Sequence, residues 1–160
     1  MSDRFPAAIH IGGPIPRQLR DQLIQVIVAQ GVHLQDYGGP EATEEGLDAG
    51  LQEGESLCLY DDQARYGEFD ELEAFLVEHE IHFNRHSDGY CEHDAQWLFY
   101  RGTEEPLSMP AEQGAGILLY RENVAEILDD EEIDDHVKVF QLRRLVYPPQ
   151  LTELQPIRFT

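Results

Sequence analysis

The chain contains an internal repeat, and that repeat restricts the fold more than any other feature. DQLIQVIVAQGVHLQ (21–35) matches DELEAFLVEHEIHFN (70–84) at an offset of 49 residues. Asp21 aligns with Asp70, Leu23 with Leu72, Val26 with Phe75 and Ile27 with Leu76. Val32-His33-Leu34-Gln35 then answers Ile81-His82-Phe83-Asn84. Helical spacing gathers the apolar positions of each copy onto one stripe. The run after each stripe alternates as a strand does. A short apolar strand also precedes each helix, AAIHI (7–11) and SLCLY (56–60). Pro16 suits a helix start.

Two βαβ units in tandem predict an α+β ferredoxin-like split βαβ sandwich, with both helices on one sheet face because crossovers are right-handed. We expect one domain over 1–160. Its core repeat spans 7–37 and 56–86, its hairpin and extra strands span 87–101, and a C-terminal helical and extended appendage spans 102–160. A length of 160 residues and a hydrophobic fraction of 41% suit one domain with a real core. The Gly-rich acidic linker 38–55 is expected at the surface, with a short helix near 41–52. WLFYR (97–101) reads as a further strand. VKVFQLRRLVYPPQ fits helix and strand equally until Pro148-Pro149 ends it. LTELQPIRF (151–159) reads as an extended tail.

Asp88-Gly89 is a good pair for a two-residue type I′ turn. That turn would fold 90–93 back on 82–86, setting His86 opposite Cys91, Arg85 opposite Glu92 and Asn84 opposite His93. Period-2 alternation sends Ile9, Ile11, Leu34, Leu57, Leu59, Ile81 and Phe83 toward the helices. The open face then receives His10, His33, Gln35, Cys58, Tyr60, His82, Asn84 and His86.

In this register His82, His86, Cys91 and His93 share one face, and imidazole and thiolate are groups zinc accepts. The spacing matches no standard zinc module, so two readings stand: a polar strand surface, or a site for zinc or a small ligand. No other cofactor is implied. No nucleophile elbow, phosphate loop or dinucleotide fingerprint is present, and no residue is singled out as catalytic.

Charge carries the functional expectation. The chain holds 32 Asp and Glu against 11 Lys and Arg, a formal net charge of -21. Residues 41–80 contain 14 acids and only Arg65, and residues 122–135 contain 8 acids and no base, which together hold the whole net charge. Phosphates repel such a surface, so direct nucleic-acid binding is disfavoured. We expect a non-enzymatic interaction module, an inhibitor or adaptor, engaging a basic protein surface; a nucleic-acid mimic that engages a nucleic-acid-binding protein is a particular case. The expected contact residues are Glu68, Asp70, Glu71, Glu73 and Glu78 around the second helix. A second set is Asp129, Asp130, Glu131, Glu132, Asp134 and Asp135. A homodimer through the open sheet face is a further expectation. The competing reading of the charge is a surface adapted to salt or to genome composition.

The N-terminus shows no basic segment followed by an apolar run, and no stretch approaches a membrane span. Two cysteines are too few for a disulfide framework. The expected location is therefore the cytoplasm, with reduced thiols.

Overall fold

The computed structural model describes residues 3–89, 93–112 and 116–160. The protein is a mixed α+β chain built on one antiparallel sheet of six strands. Its strands are β1 (Arg4–Gly12), β3 (His33–Leu34), β4 (Leu57–Arg65), β5 (His82–Ser87), β6 (Gln96–Tyr100) and β7 (Leu107–Pro110). They lie in the order β3-β4-β1-β5-β6-β7. The four strands of the sequence repeat are thus contiguous, with β1 hydrogen-bonded to β4 on one side and β5 on the other. A separate parallel pair joins β2 (Pro14–Ile15) to β8 (Arg158–Phe159), which docks the C-terminal tail on the body.

The repeated helices form as their periodicity implies. α1 (Arg20–Gln30) buries Leu23, Ile24 and Ile27. It stops at Gly31, whose φ of 72° is the left-handed conformation that ends a helix at little cost in glycine. α3 (Asp70–Glu78) buries Leu72, Phe75 and Leu76. Both stripes pack with Ile9, Ile11, Leu57, Leu59, Ile81 and Phe83 in a single core, so the expected helix-side strand residues do face the helices. The linker helix is α2 (Glu44–Gly50), capped by Thr43, whose hydroxyl accepts from the Gly46 N–H at 3.1 Å. Among the described residues, no helix is long and apolar enough to cross a membrane.

The expected two-residue hairpin does not form. β5 pairs instead with β6, which sets Asn84 opposite Phe99, Arg85 opposite Leu98 and His86 opposite Trp97. Neither Asp88 nor Gly89 takes the positive φ that a type I′ turn requires. The Gln-Trp-Leu-Phe-Tyr run of β6 offers a five-residue ladder of large side chains, whereas Tyr90–His93 is shorter and more polar. Cross-strand packing of aromatics outweighs the local turn preference. Residues 90–92, with Cys91 and Glu92, lie outside the described residues. Gln35 also departs from expectation: it has φ 74°, so the chain leaves extended geometry and β3 stops at Leu34.

The ambiguous C-terminal run is helical. α4 (Arg121–Asp129) and α5 (Asp135–Val146) form an antiparallel hairpin that meets the sheet near β7.

Candidate functional site

Three surfaces carry the chemistry that the sequence singled out. The first is the outer side of the helical layer. Asp70, Glu71 and Glu78 are exposed on α3, and Glu68 just before it is half-buried. Between α1 and α3 runs a groove of about 510 Å³. Val26, Ala29, Ala74 and Phe75 form its apolar floor, and Glu71 and Glu78 form its rim. A second groove of about 500 Å³ lies between α1 and α2, flanked by Asp21, Glu44, Glu45 and Asp48. Gln25 lines both, so the two grooves are neighbours on α1. Arg20 is held inside this layer by Asp48, 2.6 Å away.

Glu73 does not join that surface. It turns inward, where its Oε1 accepts from the Phe69 N–H at 3.0 Å and lies 2.7 Å from Nε of Arg85. Arg85 is 2% exposed and its Nη1 donates to the Gly67 carbonyl at 2.9 Å. Burial pushes the Glu73 carboxyl above its ordinary range, and Arg85 and the Phe69 N–H pull it only part of the way back. Arg85, expected opposite Glu92, lies opposite Leu98 and pairs with Glu73, while Glu92 lies outside the described residues. Glu73 is thus turned away from the exposed carboxylates of α3 and joins α3 to β5.

The second surface is the tip of the α4–α5 hairpin. Asp129, Glu131, Glu132, Asp134 and Asp135 are exposed there, and Asp130 is half-buried. Asp130 Oδ1 accepts from the Glu132 N–H at 2.9 Å and shapes the turn. Lys138 Nζ donates to the Leu128 carbonyl at 2.7 Å, which offsets the acids at the C-terminal end of α4.

The third surface is the open sheet face. One row runs His33, Tyr60, Ala8, His86, Trp97, Met109 across six strands. The next runs Cys58, His10, Asn84, Phe99, Leu107. Cys58 Sγ lies 3.4 Å from His10 Nε2. Burial raises the thiol and lowers the imidazole, so both are neutral near pH 7 and the thiol is not an activated nucleophile. Tyr37 packs edge-on against Tyr60 at 5.1 Å, and both phenols are pushed up to about 12. Burial is the main cause for Tyr37, and the Cys58 hydrogen bond for Tyr60.

The three described histidines of the 82–93 cluster have different neighbours. His82 lies against Gly13 and Gly102. His86 packs on Trp97 at 4.8 Å, with Asp88 Oδ1 3.7 Å from its Nδ1. His93 Nε2 is 2.9 Å from Asp3 Oδ2, and its ring sits by Phe5 and Tyr66. Cys91 lies outside the described residues. Among those described, no group of three or more His, Cys, Asp or Glu is placed to hold a metal ion.

Sequence reasoning missed Trp97 and Tyr37 as parts of the open face. Trp97 is hidden because Asp88-Gly89 signals 90–93, not β6, as the neighbour of β5, and Tyr37 because it sits in a loop beyond a two-residue strand. No protein-family model matches the chain, and no curated protein or solved structure matches it.

Proposed function

We propose that the protein is a non-enzymatic interaction module whose α1–α2–α3 layer receives a basic, amphipathic partner surface. The observation that carries this reading is the pair of neighbouring grooves along α1, one with an apolar floor at Val26 and Phe75 and both flanked by carboxylates. Apolar contact supplies affinity, and the carboxylates select for Lys and Arg and speed encounter. A helix with arginines along the edges of an apolar stripe fits this chemistry, and a nucleic-acid-binding protein is one source of such a surface. The scaffold proposed for it is a duplicated, ferredoxin-like split βαβ, a reading supported by the contiguous order β3-β4-β1-β5 and by both repeat helices packing on one core.

A titration of the whole protein with a synthetic amphipathic helix bearing arginines tests this, followed by backbone amide shifts. Shifts confined to α1, α2 and α3 support the proposal. Absence of binding, or equal binding of the same helix with glutamates, contradicts it.

The open sheet face supports a second reading as a small-ligand surface. Among the described residues, Asn84 Oδ1 and His86 Nε2 are buried polar atoms with no hydrogen-bond partner, and they lie on β5 beside β6. Buried polar groups of this kind are costly unless something satisfies them. Zinc alone and a panel of neutral heteroaromatic compounds, each monitored by Trp97 fluorescence, would separate this reading from the first.

A further inference from the structure

Large exposed apolar side chains are concentrated in one part of the molecule. Of twelve among the described residues, ten lie between Ile117 and Tyr147. Neither α4 nor α5 contains a buried residue. Ile127, Leu142 and Leu145 are half-buried, whereas Leu128, Val139 and Phe140 stand 50–59% exposed and Tyr147 77%. Isolated helices of 9 and 12 residues are marginal in water. An apolar surface of this extent marks an association site.

The charge along this hairpin says what covers it. The N-terminal end of α4 and the C-terminal end of α5 lie together, since Tyr120, Asn123, Arg144 and Pro148 line one groove. That base carries Arg121, Arg143 and Arg144, three of the eleven Lys and Arg in the chain, against the one acid Glu122 in the first turn of α4. The opposite end carries the carboxylates of 129–135. The arm is therefore apolar along its side, basic at its base and acidic at its tip.

We propose that the arm pairs antiparallel with the same arm of a second copy, so that each acidic tip lies along the other's basic base. A two-fold axis gives this arrangement and closes it at two chains. Parallel pairing would set tip against tip and repel. A basic foreign surface would match the tip but meet Arg121, Arg143 and Arg144 at the base. Val139 and Phe140, exposed midway along α5, then form the centre of the joint, and Tyr147 lies at its basic end. The tip carboxylates serve self-association here, while the α1–α2–α3 layer stays free.

Sedimentation equilibrium of the full chain tests the proposal. The expected mass is twice the 18.3 kDa of one copy. Phe140→Glu is expected to weaken the dimer by roughly tenfold or more, as loss of a central aromatic does. Arg143→Glu with Arg144→Glu should weaken it too, and adding Asp129→Arg with Asp130→Arg should restore it. Circular dichroism confirms that each variant is folded. A monomer at all concentrations overturns the proposal. So does a dimer unmoved by Phe140→Glu and by the charge exchange, because its contact would lie elsewhere, as on the open sheet face. These variants leave the grooves of α1, α2 and α3 intact, so the outcome is independent of basic-partner binding.

Discussion

Glu73 and Arg85 meet inside the protein, Oε1 2.7 Å from Nε, and join α3 to β5 through an ion contact almost sealed from solvent. The two partners are not equivalent. A carboxyl already pushed upward by burial can take a proton when its partner is lost, but a guanidinium cannot release one. Glu73→Ala should therefore destabilise the fold by about 3 to 5 kcal/mol. Arg85→Met should cost less, and Glu73→Leu with Arg85→Met together should recover much of the loss. Urea unfolding of the three variants checks this order.

Gly67 occupies a position that no other residue fits. Its φ is 68°, and an added Cβ would collide with the Phe5 ring. Gly67→Ala combines backbone strain with a clash, so a loss of at least about 2 kcal/mol is expected. A midpoint unchanged from the parent in thermal unfolding would show that the turn before α3 is not fixed as described.

Acid sensitivity should come partly from His10 and His82. Burial holds both below their ordinary value, and Arg101 adds to the effect at His82. Their folded pKa values lie below the unfolded 6.5, so the unfolded chain takes up protons first as pH falls. Stability is full above about pH 6.5 and declines through the interval down to the folded values. The carboxyl of Glu73, shifted upward by burial, acts with the opposite sign above its ordinary range, so the histidine contribution is read from the His10 variant against the parent. His10→Gln should flatten the decline in urea unfolding measured between neutral and mildly acidic pH.

Cys58 should be a slow thiol. Burial raises it, and His10 beside it is neutral. In a Cys91→Ser background, alkylation at pH 7 should run well below the rate of a free peptide thiol and rise only in alkaline solution. Rapid alkylation at neutral pH would instead mean an activated nucleophile on the open face.

Much of this architecture was legible because both helices and the central strands are set by apolar periodicity over whole elements. Ile81 and Phe83 point inward and His82 and Asn84 outward, as alternation requires. The pairing partner of β5 was not legible, because Asp88-Gly89 is a strong local turn signal and long-range aromatic packing overrode it. Glu73 was legible in hindsight. It falls between Phe69, Leu72 and Leu76 at helical spacing, all of them buried, and Arg85 follows Ile81 and Phe83 on the inward phase. An internal acid and base in register imply one another. The α4–α5 arm was harder, since its apolar residues serve no core and its short helices carry no strong caps.

Salt dependence of partner binding tests the central claim most directly. The affinity of the whole protein for an arginine-bearing amphipathic helix should fall steadily as ionic strength rises. Glu71→Gln with Glu78→Gln should weaken it by several-fold and reduce that salt dependence, while Asp129→Asn with Asp130→Asn should leave it unchanged. Binding that ignores salt and survives neutralisation of Glu71 and Glu78 would contradict an acidic docking layer.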